Sequence, residues 1–428
     1  MNILLYTILL FLPLPLFVLI FRHRHYQNFM LPFVALIGIY IFNIVGSWRV
    51  INDEQLFTNL YYYSLIAIVV AFYLFYFFIF VSGRSLYINW TNLNYSTADM
   101  RAIVPLLVLL WGFSFAMFFL YYSRHGMPAV FEVDLFEYTK LYDVRSEKST
   151  NLPEGMHWYS LGFHTIPAFI FCFTYAWKRL VPSPKIKTIF YLNLPLVLFF
   201  SSLTMHKTPF AYLVLYVLII NTLISPGSLN MKKLFGYIAV AIGSITLFVR
   251  IYRLNREFYE VLMALPDYFF HRIFAVYTEA HAQIVMIFPS LHDFLGGTSF
   301  GNPGHILPYE PFNLSQFLGY YVSGGLMNYS SPSFSQGYAN FGIAGFVLVL
   351  VLMFLQIIVI QIIFQKSPKT PIFLAAYTLV VPLMLGYSNQ AIDQVFSIVF
   401  MIFILTGLSI YYVLRHMYST LYRAKRIA

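Results

Sequence analysis

Polar residues break this chain only at intervals. Between them lie apolar runs centred near Leu10, Ile39, Val70, Leu109, Phe169, Leu196, Val214, Val240, Val349, Val380 and Phe403. A helix crossing about 30 Å of hydrocarbon needs roughly 20 apolar residues, and the runs have that length. Only helices and closed barrels satisfy the backbone in lipid, and unbroken runs of this kind predict helices. The pattern therefore predicts an all-α polytopic membrane protein with about 11 transmembrane helices.

The polar segments between the runs are unequal. If they alternate sides, one side receives short connections such as Lys178–Thr188, Ser225–Lys233 and Gln365–Thr370, with no room for a catalytic domain. The other side receives about 38 residues from Ser123 to Ser160 and about 90 from Arg250 to Asn340. This divides the chain into residues 1–249 (the first eight helices with the outer loop 123–160), the large outer loop 250–342, and residues 343–428 (the last three helices and a basic tail). Within the large loop, Tyr252–Phe288 carries apolar residues at helical spacing and predicts one or two helices interrupted at Pro266. From Pro289 onward, Gly296-Gly297, Gly301-Asn302-Pro303-Gly304, Pro308, Pro311 and Gly324-Gly325 exclude long helices. The aromatics threaded through this part suit stacking on sugar rings, and equally suit anchoring in the headgroup zone.

Composition agrees with the pattern: of 428 residues 60% are hydrophobic and only 10% charged, against about 25% charged in soluble domains. Mean hydropathy is +0.73. A net charge of +10 raises nucleic acid as a partner, and the placement of the charges excludes it. The side with short connections holds 16 of the 26 basic residues with Asp99 as its only acid; the other holds 10 basic residues and 15 acids, giving formal charges of about +15 and −5. The positive-inside rule makes the first side cytoplasmic, so the amino terminus is expected outside and the carboxyl terminus inside. The first run has no basic residue before it and no small-residue cleavage site after it, and is expected to stay as a helix. The lone Cys172 excludes an internal disulfide and a cysteine-based metal cluster.

Candidate chemistry gathers in the large outer loop. Arg250, Arg253 and Arg256 recur at three-residue spacing, and Arg272 follows in Tyr268-Phe269-Phe270-His271-Arg272-Ile273-Phe274. Arginine forks bind phosphate bidentately and stay charged at any relevant pH. Arg253 with Glu257 and Arg256 with Glu260 also fit plain i,i+4 salt bridges on a helix surface. Tyr268, Arg272, Ala275 and Glu279 fall on one helical face, and His281 lies close by, so Glu279 or His281 can serve as a general base beside an anion-binding arginine; the alternative is a buried structural ion pair. Lys207, in Thr204-Met205-His206-Lys207-Thr208-Pro209, either meets an anionic head group or snorkels. Glu132-Val133-Asp134 is the nearest approach to a paired-acid metal site, and no zinc spacing, phosphate-cradling glycine loop or nucleophile elbow is present. The expectation is a site without metal or cofactor. In Gln336-Gly337-Tyr338-Ala339-Asn340-Phe341-Gly342-Ile343-Ala344-Gly345 the glycines allow close packing, while Tyr338 and Asn340 put hydrogen-bonding groups at substrate depth.

Four ordered segments carry a family resemblance: Ser201–Pro209 before an apolar helix, Arg272-Ile273-Phe274, then Phe288-Pro289 with Phe294–Phe300, and Gly337–Gly345. Together they resemble the bacterial oligosaccharide repeat-unit polymerases, the O-antigen polymerase (Wzy) family, with Lys207 where arginine is more usual. The resemblance covers roughly residues 195–350 by motif and the whole chain by hydropathy. It implies a GT-C-like, metal-independent membrane glycosyltransferase in the bacterial inner membrane, with its active site at the periplasmic face. The implied donor is a glycan on undecaprenyl pyrophosphate, the acceptor another lipid-linked repeat unit, and the implied partners are membrane lipids and a chain-length regulator protein. Arg272, Arg250, Arg253 and Lys207 would stabilise the departing pyrophosphate, and Glu279 or His281 would take the proton. An O-antigen ligase and a flippase of lipid-linked glycans are the alternative readings; the second would call for a cationic cavity within the membrane.

Overall fold

A computed structural model describes residues 2–13, 31–82, 88–95, 97–128, 131, 159, 161–203, 208–225, 271, 275–300, 308–324, 329, 331–386, 413 and 416. Every regular element among them is helical. In chain order they are α1 (Asn2–Phe11), α2 (Leu31–Ile39), α3 (Glu54–Ser82), α4 (Thr97–His125), α5 (Ile166–Leu180), α6 (Pro184–Ser202), α7 (Thr208–Ile224), α8 (Val276–Ile287), α9 (Leu314–Ser323), α10 (Ser333–Lys366) and α11 (Pro371–Leu385). A π turn (Tyr40–Ile44) and a 3₁₀ stretch (Val45–Val50) continue α2, and a π turn (Leu161–Thr165) precedes α5.

Three described stretches are long and apolar enough to cross a membrane: Leu31–Val50, Met100–His125 and Ser333–Lys366. The runs centred on Val240 and Phe403 lie outside the described residues, as does most of the loop 123–160. Local sequence explains the helix boundaries. Asp53 Oδ1 accepts the Leu56 N–H at 3.0 Å and Asn313 Oδ1 accepts the Gln316 N–H at 3.1 Å, each capping donors that the first turn leaves free. Gly324, at φ 68°, closes α9 with its N–H on the Tyr320 carbonyl, the left-handed cap that glycine favours.

The chain forms two compact units. The first comprises Met1–Ile88, Leu265–Lys366 and Val381–Ile398. There α1 is stitched to the second segment by Asn2 Nδ2 to the Ile51 carbonyl (2.9 Å), Tyr6 OH to the Val45 carbonyl (3.0 Å) and Tyr40 OH to the Leu10 carbonyl (2.9 Å). Val50, Phe57, Leu60 and Ala282 make a buried cluster that seats α8 against α3. Thr278 Oγ1 donates to the Phe42 carbonyl at 3.0 Å.

The second unit comprises Asn89–Ala264, Ser367–Val380 and Val399–Ala428. Its aromatic centre is Phe200, whose ring lies 5.4 Å from Trp111, 5.1 Å from Phe115 and 6.4 Å from Phe163. Trp111 Nε1 donates to Asn193 Oδ1. Cys172 is buried within α5.

One element departs from the sequence expectation. The helix expected to begin after Asn340 begins at Ser333, and α10 is two helical arms broken at Phe341 (φ −138°, ψ 19°) and Gly342 (φ 64°, ψ −149°). That region of backbone space is open essentially to glycine alone. In a straight helix Gly337 and Gly345 would be about 12 Å apart along the axis. Here a methyl on either would fall well under 3.0 Å from the other's carbonyl oxygen, so the arms fold against one another.

Candidate functional site

Glu279 stands in the first turn of α8, where free backbone N–H groups favour a carboxylate. Its Oε2 accepts from the Tyr329 hydroxyl at 3.2 Å and lies 3.2 Å from His271 Nε2. The two side chains are partly open to solvent, 36% for His271 and 24% for Glu279. Tyr329 is fixed in turn: its N–H donates to the Ser315 carbonyl at 3.0 Å and its carbonyl accepts from Ser315 Oγ at 2.8 Å. The first turn of α9 therefore braces the tyrosine that braces the carboxylate.

His281, two residues along α8, occupies a different environment. It is 1% exposed, with Nδ1 2.7 Å from Ser335 Oγ and rings of Tyr63, Phe334 and Phe346 at 6.1, 5.6 and 5.7 Å. Its Nε2 has no hydrogen-bond partner among the described residues. Helix α8 is not among the membrane-length helices; burial alone lowers the imidazole to about 3 from its ordinary 6.5, because an apolar surround penalises the cation. A neutral, enclosed ring of this kind is suited to packing. Sequence proximity to Glu279 does not give it access to a reacting group.

Tyr338 and Asn340 sit on the short first arm of α10, and both are buried. Tyr338 OH donates to the Phe288 carbonyl at 3.2 Å and accepts from Tyr63 OH at 3.3 Å. Asn340 holds the turn-rich segment 295–299 in place. Its Oδ1 accepts the Gly297 N–H at 2.9 Å and the Ser299 N–H at 3.4 Å. Its Nδ2 donates to Ser299 Oγ at 2.6 Å and to the Gln336 carbonyl at 2.7 Å. The Leu295 and Gly296 N–H groups donate to the carbonyls of Ala339 and Asn340 at 2.9 and 3.1 Å. Gly296 (φ 58°) and Gly297 (φ 101°) supply the positive φ that this docking needs. Phe294 packs edge-on to Tyr338 at 5.8 Å.

The four cations expected to hold pyrophosphate, Arg250, Arg253, Arg272 and Lys207, lie outside the described residues. So do Glu132 and Asp134. Among the described residues no group of three or more His, Cys, Asp and Glu could hold a metal ion. The residue that sequence reasoning passed over is His271. Its spacing to Glu279 is i,i+8, about 12 Å of rise in a straight helix, so a helical reading pairs neither with the other. The adjacency of His271 and Arg272 was the only available signal.

No protein-family model, no curated protein and no solved structure matches the chain.

Proposed function

We propose that the chain is a polytopic membrane glycosyltransferase that polymerises lipid-linked oligosaccharide repeat units, the O-antigen type of surface polysaccharide, at the outer face of a bacterial inner membrane. In this reading about 11 crossings form a GT-C-like body with the amino terminus outside. The donor glycan leaves undecaprenyl pyrophosphate and joins the terminal sugar of an incoming repeat. Arg272, with Arg250 or Arg253 and Lys207, neutralises the pyrophosphate as the anomeric bond breaks, the role that fixed donors in a water-poor site play in other group transfers.

The observation that carries the reading is the carboxylate of Glu279, held partly open by His271 and Tyr329, seven residues after Arg272 in the one outer segment where the sequence concentrates arginine. A carboxylate–imidazole pair provides proton transfer, and the arginines of the same segment would supply the anion stabilisation. The test is complementation. A strain lacking this gene is expected to carry core with a single repeat, and the wild-type gene to restore its polysaccharide ladder. Arg272→Ala and Glu279→Ala are expected to leave single repeats. Full ladders from both variants would overturn the site, and a null strain whose core carries no repeat at all would replace polymerase by ligase.

A further inference from the structure

Glycosyl transfer onto a sugar hydroxyl needs an atom that takes the proton from it. We propose that it is Nδ1 of His271, with Glu279 as the residue that positions and charge-balances the imidazole and Tyr329 as the brace behind it. The assignment deepens the glycosyl-transfer reading and rests on it.

The chemistry of the contact fixes the tautomer. An ionised carboxylate only accepts hydrogen bonds, so the 3.2 Å contact between Glu279 Oε2 and His271 Nε2 requires the proton on Nε2. Nδ1 then carries the lone pair. It has no partner among the described residues, and the His271 side chain is more than one third exposed. The two other candidates are worse placed. Glu279 is the less exposed of the pair, 24% against 36% for His271, and its Oε2 already accepts from two donors, His271 and Tyr329. His281 is enclosed by Tyr63, Phe334 and Phe346, and its Nδ1 faces Ser335.

The step balances without a further reactant. The acceptor hydroxyl oxygen forms a bond to the anomeric carbon of the donor as its proton passes to His271 Nδ1. The bond from that carbon to the pyrophosphate oxygen breaks, and its electron pair leaves on the pyrophosphate. His271 becomes an imidazolium beside the Glu279 carboxylate, then releases its proton to solvent. Nothing is oxidised or reduced. Tyr329 keeps Oε2 in register, and the two backbone-level bonds between Tyr329 and Ser315 hold the tyrosine. Glu279 is the titratable group that contacts His271, and Tyr329 contacts the same carboxylate oxygen.

The experiment uses the full chain in lipid nanodiscs, with lipid-linked repeat units extracted from a strain lacking the gene, and follows chain extension on a gel. A general base contributes about 10²–10⁴-fold, so His271→Ala and His271→Gln are expected to lose kcat by about that factor with KM little changed. Glutamine keeps a donor for Glu279 and so preserves the packing. Added imidazole is expected to restore part of kcat to His271→Ala and none to His271→Gln, a response that a merely structural role would not produce. Glu279→Gln is expected to lower kcat, and Tyr329→Phe to lower it less. If the wild-type protein extends chains and His271→Gln does so at the wild-type rate, the base assignment fails while the glycosyl-transfer reading stands. If both histidine variants are inactive and imidazole restores nothing to His271→Ala, the assignment also fails. If the wild-type protein does not extend these chains at all, both fall.

Discussion

Asn340 is the position where a structural role and a substrate-binding role make opposite predictions. Asn340→Ala removes the acceptor of the buried Gly297 N–H at 2.9 Å and the donor to the Gln336 carbonyl at 2.7 Å, together with the partner of Ser299 Oγ at 2.6 Å. A buried donor or acceptor left without its partner costs about 1–3 kcal/mol. The Gly297 N–H is such a group, whereas Gln336 keeps other partners and Ser299 is partly solvated, so the predicted loss is about 1–3 kcal/mol. Ser299→Ala removes one bond and leaves Asn340 its contacts to Gln336 and Gly297, so its cost should stay near or below about 1 kcal/mol. The assay is unfolding by SDS in mixed detergent micelles, followed by circular dichroism, with chymotrypsin cleavage of the aromatic-rich segment 288–324 as a local readout. The variant should unfold earlier and be cut faster in that segment. An Asn340→Ala protein within about 0.5 kcal/mol of wild type and no more susceptible to cleavage would refute the reasoning, and a loss of polymer with unchanged stability would make Asn340 a substrate contact.

Two further predictions follow from packing and burial. Gly337→Ala and Gly345→Ala each drive a methyl into the opposite arm's backbone, a site that cannot yield as a side chain end can, and each should destabilise by about 1–3 kcal/mol or more. Gly112→Ala, which meets nothing within 4 Å, is the matched control and should be neutral or better in the same SDS titration; equal losses at all three positions would show that the arms do not touch. His281 is held neutral, its imidazole lowered from 6.5 to about 3 by burial, so the unfolded chain binds its proton first as pH falls. The sign follows: this contribution is complete above the unfolded value of 6.5 and is lost as pH drops from there towards 3, by up to about 1.4 kcal/mol per pH unit. His281→Phe should flatten the acid limb of the stability profile between those limits, and an unchanged limb would refute the burial argument.

How much of this was legible in the sequence depends on the distance over which each contact acts. Helical character and membrane-length segments were readable, because apolar content and length are local. The capping residues Asp53 and Asn313 and the terminator Gly324 are of the same kind. The glycines of Gly337–Gly345 were read as close-packing residues, and the structure gives that role a particular geometry: a break at Gly342 that brings Gly337 onto Gly345. The start at Ser333 was not readable, since Ser333, Ser335 and Gln336 look like loop until Ser335 meets His281 and Asn340 meets the Gln336 carbonyl. Nor was His271–Glu279, because helical periodicity pairs i with i+4 and is silent about i+8. Proximity in sequence does not mean a shared environment: Glu279 and His281 are near neighbours on α8, yet one is partly open to solvent while the other is sealed among rings.

The break at Gly342 separates two arms of different character. Every residue of the first arm from Ser333 to Asn340 is buried, polar ones included, and those polar groups bond α8 and the segment 295–299. The second arm, residues 343–366, instead alternates buried Val349, Leu350, Met353 and Ile357 with exposed Leu348, Leu352, Leu355 and Val359, the one-sided pattern of a helix buried on one face with an apolar stripe left exposed on the other. A single straight helix could not present a wholly buried polar surface and an exposed apolar stripe in register with the same neighbours. Glycine at 342 permits the change of direction, and the paired glycines at 337 and 345 let the two arms close without side chains between them. Farther down the second arm, Gln361 is fully buried and its Oε1 accepts the Leu31 N–H at 3.2 Å. That N–H begins α2, where the first turn has no intrahelical acceptor. Asn340 and Gln361 therefore serve the backbone, one at a break and one at a helix start.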